Sequence, residues 1–285
     1  MRRFLPALPV LLLVAVPAAA LIGASQPPLP MAVRAAVADA ACVGTVTAVE
    51  PGPAQALPYP GATAKVAYSV AVVQVDDAIT GLKGMTHVRV GFAPAAADRV
   101  VGRVPGVRGL KAGDRAGLFL VKHPTADFYV MPERCPRLPP DAVDFKTQIE
   151  QAKAAVKVAA DPAAALTAPA AADRAFAARV LIVKYRTGSL TGGEVEPTAI
   201  PAAESRLLLD ALGEMDWAKL EPILPQPAAL FRHLGATAAD GWTPPVVPPG
   251  ADFHTTMKAA FDAWRAGPGA TFQVKKYVPK KQAAK

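Results

Sequence analysis

The sequence contains no asparagine, so it offers no acceptor for N-glycosylation. It has only two cysteines and four histidines, and these form neither a C-x-x-C pair nor an H-x-x-x-H pair. A zinc site needs three or four nitrogen or sulfur ligands at workable spacing. We therefore predict no metal site.

Reaction motifs are equally scarce. The chain has no G-x-S-x-G elbow, H-E-x-x-H motif, phosphate-binding loop or G-x-G-x-x-G. The glycine-rich stretch from Arg186 to Glu194 follows a predicted helix, whereas a phosphate loop follows a strand, so an interhelix loop is favoured. We assign no catalytic residue and expect no cofactor. Hydrophobic residues make up 52% of the chain and charged residues 19%, which predicts folded cores.

Residues 1–25 have the layout of a cleaved secretory signal. A basic Met1-Arg2-Arg3 head precedes the apolar run from Phe4 to Ala24, and small residues follow. An uncleaved anchor is the alternative, because the run is long enough to span a bilayer. The signal predicts export to the periplasm or the extracellular space, with no transmembrane segment after cleavage. Residues 26–40 are predicted to be a proline-rich spacer.

Positive charge is concentrated at the carboxyl end. Loss of the signal would remove two arginines and no acid, which lowers the net charge from +8 to +6. Residues 270–285 hold five lysines and no acid, namely Lys275, Lys276, Lys280, Lys281 and Lys285. Such a tail can contact anionic surfaces electrostatically, and the alternative is a solvated terminus. We predict no specific nucleic-acid binding.

Between residues 41 and 140 the apolar pattern has a period of two. Turn residues rich in proline and glycine separate the candidate strands. This spacing of short strands predicts a small barrel or sandwich. The strands are predicted over Cys42–Glu50, Lys65–Ile79, Thr86–Ala93, Arg115–His123 and Asp127–Met131.

Between residues 141 and 269 the period becomes helical, which predicts an all-α domain with proline-rich joints. The predicted helices are Asp144–Asp161, Ala171–Gly188, Pro201–Met215, Gln226–Gly235 and Ala251–Gly267. The last part of the chain, residues 270–285, contains a strand-like segment, Thr271–Val278, and the basic tail. We expect that segment to pack back on a sheet.

The two cysteines admit four interpretations: lipid anchor, metal ligand, nucleophile or crosslink. Cys42 has no lipobox after the apolar run, and no local histidine predicts a nucleophile. Cys42 and Cys135 flank the predicted strands, 93 residues apart, in a chain expected to be exported. We predict a disulfide between them, with loop-closure stabilisation of about 4–5 kcal/mol.

Other candidate site residues lie in and beside the predicted strands. His87 and His123 are candidates for a base or ligand, with an ordinary half-exposed strand face as the alternative for His87. The long loop between two strands carries Arg99, Arg103 and Arg108, which indicates either a recognition loop for an acidic ligand or a solvated insertion.

Three short motifs carry a family resemblance over residues 38–131. They are Val43-Gly44-Thr45-Val46, Leu82-Lys83-Gly84 and the strand from Gly113 to Leu120. In this order they resemble the amino-terminal module of uncharacterised exported bacterial proteins and, more distantly, netrin-like and tissue-inhibitor-of-metalloproteinase-like modules. The resemblance implies an OB-like five-stranded barrel. The inhibitors present an amino-terminal cysteine to zinc, and this chain departs from that pattern unless cleavage falls directly before Cys42.

These expectations together describe an α+β protein with a small OB-like five-stranded β-barrel followed by an all-α domain. The favoured function is a non-enzymatic binding or scaffold protein of the envelope or extracellular space, whose partner is a protein or a polysaccharide. The alternative is a hydrolase that uses His87 or His123 with a carboxylate between the two halves. A third hypothesis is electrostatic surface binding through Lys275, Lys276, Lys280 and Lys281.

Overall fold

The computed structural model describes residues 27–92, 109–219 and 225–280. Within these ranges the chain is an α+β protein. The strands are β1 (Ala40–Val49), β2 (Ala54–Ala56), β3 (Val66–Thr80), β4 (His87–Phe92), β5 (Arg115–Lys122), β6 (Tyr129–Val130), β7 (Val195–Ala199) and β8 (Lys275–Pro279). The helices are α1 (Met31–Val37), α2 (Phe145–Ala160), α3 (Pro162–Leu166), α4 (Ala171–Tyr185), α5 (Ala202–Glu214), α6 (Pro227–Leu234) and α7 (Phe253–Ala266).

The five strands predicted before residue 140 are all present, as β1, β3, β4, β5 and β6. They form one sheet in the order β1-β5-β6-β4-β3-β2, and β1 also pairs with β3. The β4–β6 pairing is parallel, and the other pairings in this sheet are antiparallel. Register shifts in the β1–β3 pairing, which include one between Val46 and Ala48, allow the strands to bend.

Side chains of β1 alternate between two hydrophobic cores, because successive strand residues point to opposite faces. Cys42 and Val46 belong to the inner core, which the strands of the large sheet supply with Val73, Val90, Leu118 and Leu120 among others. Ala41 and Val43 belong to the outer core, which β1 and β5 share with the helices. The strand and helical regions therefore share the outer core.

The segment predicted as a spacer is partly helical. Helix α1 follows Pro30, and most of its residues are buried in the outer core. Arg34 fixes it: Nε donates to the Leu29 carbonyl at 2.8 Å and Nη1 to the Pro136 carbonyl at 3.0 Å. The prolines of this segment led to the prediction of a spacer. Helix α1 was not predicted because its apolar residues are buried against α2 and α4, which lie far along the chain.

The helices predicted after residue 141 are found as α2, α4, α5, α6 and α7. The region is nevertheless not all-α, because β7 lies within it and pairs antiparallel with β8. The terminal strand thus joins a separate two-stranded sheet and does not pair with the large one. Asp144, at the start of α2, has a left-handed backbone and makes no side-chain cap.

Aromatic side chains fill the helical part of the outer core. Phe231 stands between Trp242, Phe261 and Trp264, with ring centroids 4.6, 4.9 and 5.2 Å away. Trp217 adds a further contact to Phe261 at 5.2 Å. Among the described residues, no helix combines the length and apolar character needed to cross a membrane.

Candidate functional site

Several predicted site residues lie outside the described part of the chain. They are Arg99, Arg103 and Arg108 of the strand-connecting loop, Lys281 of the tail, and the whole of residues 1–25.

The remaining lysines of the tail are held in place by β8. Lys275 and Lys276 lie within the strand, and Lys280 follows it. Lys280 donates to Glu194 at 2.8 Å through Nζ, and its backbone N–H donates to the Glu194 carbonyl at 3.0 Å. This hydrogen bond raises the pKa of Lys280 and lowers the pKa of Glu194. The basic segment up to Lys280 is therefore part of the fold.

The predicted disulfide is not formed in the structure: Cys42 and Cys135 are both free, buried thiols. Cys42 faces the inner core, and Cys135 lies in the outer core. The strand alternation of β1 is the reason, because it turns Cys42 away from the face on which Cys135 packs. Burial raises the pKa of each thiol to about 12, and the charges of Asp76 and Asp77 add to the effect at Cys42.

The two candidate histidines lie in different surroundings. His123 is 2% exposed and packs against the rings of Tyr68 and Phe128. Its Nδ1 accepts the Thr125 N–H at 3.2 Å, its Nε2 has no partner among the described residues, and burial lowers its pKa. His87 is exposed, and its Nδ1 contacts the Thr86 hydroxyl at 3.2 Å. Within the described residues neither ring lies in ion-pair contact with a carboxylate, the pairing that the hydrolase alternative requires.

A shallow groove runs over the outer surface of β4, β5 and β6. We call it the strand groove; it encloses about 230 Å³ and is lined by Met85, His87, Val88, Arg89, Lys122, Asp127, Phe128 and Tyr129. Arg89 is its most firmly held cation, because it donates to both carboxylate oxygens of Glu50, at 2.7 and 2.8 Å, and to the Asp127 carbonyl at 3.0 Å. These hydrogen bonds raise the pKa of Arg89 and lower that of Glu50.

A larger cleft lies where the strand region meets the helical region. We call it the junction cleft; it encloses about 470 Å³. The end of α1, Asp39 just before β1 and Val121 of β5 form one wall, and the loop after α4 together with β7 and β8 forms the other. Its polar lining residues are Asp39, Lys184, Thr187, Ser189, Thr191 and Tyr277.

Lys184 is the distinctive group of the junction cleft. It is half-buried in the last turn of α4, and burial lowers its pKa, as does the nearby charge of Lys276. Glu204 acts in the opposite direction, but its carboxylate accepts the hydrogen bond of the Tyr185 hydroxyl.

The sequence pattern did not reveal Lys184. Its helix was predicted, but a lysine near the end of a helix normally complements the carbonyl end of the helix and is solvated. The glycine-rich stretch from Arg186 to Glu194 predicts an interhelix loop, but in the structure it leads from α4 to the strand β7. In the structure part of this loop lines the junction cleft, and a Cβ at Gly192 would come within 2.8 Å of the Tyr59 ring.

Among the described residues no group of three or more histidine, cysteine, aspartate or glutamate side chains is arranged to hold a metal ion. The chain matches no protein-family model and no curated protein.

Proposed function

We propose that this protein is an exported, non-enzymatic binding or scaffold protein, and that its strand region is an OB-like barrel that binds a protein or glycan partner. The strand pairings support the barrel. They pass from β1 through β5, β6, β4 and β3 and return to β1, and β4–β6 is parallel within this cycle. A closed set of pairings leaves few free sheet edges, as in small barrels.

The observation that carries the binding proposal is the composition of the strand groove. Arg89 and Lys122 supply positive charge, Tyr129 and Phe128 supply rings, and Met85 is 44% exposed beside them. Arginine, methionine and aromatic side chains are the residue types enriched at binding surfaces. Because Arg89 is already held by Glu50 and Asp127, this side chain loses little conformational entropy on binding.

Site-specific photo-crosslinking in the native host tests this proposal. A benzophenone side chain at Met85 would stand in the strand groove, and the matched control is Val246, which is 90% exposed in a proline-rich segment. We expect a discrete crosslinked species from position 85 that is absent from position 246. Protease and glycosidase treatment then identifies the partner as protein or glycan. No crosslink at 85, or the same products at both positions, would contradict the proposal.

Export is tested by the intact mass of the protein recovered from the periplasm or the medium. We expect a chain that lacks the first 25 residues or so, because the signal-like segment ends there. A full-length mass, or recovery only from the cytoplasm, would contradict export.

Electrostatic surface binding through the lysine tail cannot be tested by deleting the tail. Removal of residues 275–285 would also remove β8 and its pairing with β7. Replacement of Lys281 and Lys285 by glutamine leaves β8 intact. A loss of salt-sensitive binding to anionic vesicles in this variant would support an electrostatic role of the tail.

A further inference from the structure

The junction cleft contains a positive charge without a direct partner, although the nearby charge of Glu204 partly compensates it. The Lys184 ammonium makes no hydrogen bond and no ion pair within the described part of the chain, although the residue is half-buried. Lys276 on β8 adds a second positive charge close to it. A buried charge without a partner is costly, so the cleft favours an anion that would supply the missing partner.

The last carbonyls of α4 accept hydrogen bonds from other donors, and in the described chain none of them accepts from the Lys184 ammonium. The Ile182 carbonyl accepts the Arg186 N–H at 3.2 Å, and the Lys184 carbonyl accepts the Thr187 N–H at 3.1 Å. The Val183 carbonyl accepts the Thr187 hydroxyl at 2.7 Å.

The remaining lining groups define the rest of the ligand. Thr191 has a hydroxyl without a hydrogen bond in the described chain, whereas the Ser189 hydroxyl already donates to the Gly192 carbonyl and can only accept from a ligand. One carboxylate oxygen of Asp39 accepts the Lys122 N–H at 2.8 Å, which leaves its other oxygen to accept from a ligand hydroxyl. The charge of Asp39 repels the doubly charged form of phosphate more strongly than a singly charged organic anion.

We propose that the junction cleft binds a hydroxylated organic anion of sugar-acid size, with the ligand carboxylate on Lys184 and its hydroxyls on Asp39 and Thr191. A volume of about 470 Å³ lies in the range of small-molecule sites. Tyr277 forms part of the wall, and the Arg186 guanidinium lies 4.4 Å from the centroid of its ring, so this wall is held in place. The site is separate from the strand groove and does not depend on its partner.

Glucuronate is the probe for this proposal, and glucose is its neutral counterpart. We expect saturable binding of glucuronate to the purified full chain by titration calorimetry, with glucose weaker by about tenfold or more, because a hydrogen bond to a charged group is lost. Equal affinity for the two sugars would overturn the role of Lys184. Inorganic phosphate that binds as tightly as glucuronate would overturn the ligand class.

Four variants locate the charge. Lys184→Met should weaken glucuronate binding by about tenfold or more, whereas Lys184→Arg should keep most of it. Lys157→Met is the matched control, because it removes the same charge from an exposed position on α2. Lys276→Met should weaken binding by a smaller factor, since that residue contributes only through its nearby charge. Unchanged binding in folded Lys184→Met would overturn the proposal.

Discussion

The inner and outer cores differ in the size of the side chains that fill them. The inner core consists mainly of alanine, valine and leucine, with Phe92 as its only buried ring among the described residues. The outer core holds all three tryptophans of the chain, Trp217, Trp242 and Trp264, together with Phe231 and Phe261. Hydrogen bonds hold the strands of a sheet about 4.8 Å apart, which leaves little space between their side chains, whereas separate helices can be spaced around large rings.

Each core also holds one cysteine, so the reactivity of each thiol can be used to compare the packing of the two cores. Cys42 reports on the inner core and Cys135 on the outer core, while tryptophan fluorescence reports only on the outer core. Since β1 and β5 contribute to both cores, a change in one core is expected to reach the other through their shared backbone.

The largest expected effect is on thiol reactivity. Burial raises the pKa of Cys42 and Cys135 from 9.0 to about 12, so the thiolate fraction should fall by about a thousandfold for each. We expect neither thiol to react with iodoacetamide in the native protein at pH 8, and both to react in urea. A mass two hydrogens lower before reduction would instead demonstrate the disulfide and contradict the separation of the cores.

Phe261→Ala is the strongest test of the outer core. Phe261 is fully buried against Phe231 and Trp217, so we expect a loss of about 3–5 kcal/mol in the free energy of unfolding. Urea unfolding followed by tryptophan fluorescence measures it. Phe253→Ala is the control on the same helix, because Phe253 is 43% exposed. An equal loss in both variants would show that the aromatic cluster does not stabilise the outer core.

Gly44→Ala tests the inner core. A Cβ at Gly44 would lie 2.6 Å from Val73 Cγ1 and 2.7 Å from the Gln74 carbonyl oxygen, so the β1–β3 pairing must shift. We expect a loss of about 1–3 kcal/mol, together with faster labelling of Cys42. Gly188→Ala is the control, because nothing lies within 4 Å of its Cβ. A tolerated Gly44→Ala would indicate that the inner core is loosely packed.

The smallest expected effect concerns pH. Burial lowers the pKa of His123 in the folded state, so the unfolded state binds the proton more tightly and stability falls as the pH drops below about 6.5. His233 contributes in the same direction, because burial and the charges of Arg186 and Arg134 lower its pKa.

His123→Phe should therefore reduce the loss of stability between pH 7 and pH 5. At pH 7 the variant should be less stable by about 1 kcal/mol, because the Thr125 N–H loses its acceptor. Urea unfolding at both pH values provides the measurement. An identical pH dependence in the variant and the parent protein would exclude His123 as a contributor.

Local periodicity predicted most of the regular structure. The alternation around Val43 and Val88 located strands, and the helical spacing of Phe145, Ile149 and Ala152 located α2. The missed elements are short. In β7 the pattern Val195–Ala199 contains Pro197 and has no apolar alternation, and Asp161, predicted as the last residue of a helix, instead accepts the Ala164 N–H to begin α3.

The candidate sites were much less predictable. His87 and the lysines of β8 were named from the sequence, and the structure places His87 in the strand groove. Lys184 was missed because its surroundings come from α1, β5 and β8, which are distant in the chain. Both the loss of its solvation and the nearby charge of Lys276 arise only on folding.

The sequence by itself determined the elements whose side chains repeat with a period, because that repeat reflects which face of a strand or helix is buried. Only the tertiary structure decided which face each cysteine occupies, which strand β8 pairs with and that the half-buried Lys184 ammonium has no ion-pair partner among the described residues. These outcomes depend on contacts between residues far apart in the chain, such as Ala199 with Lys275, and no local pattern encodes them.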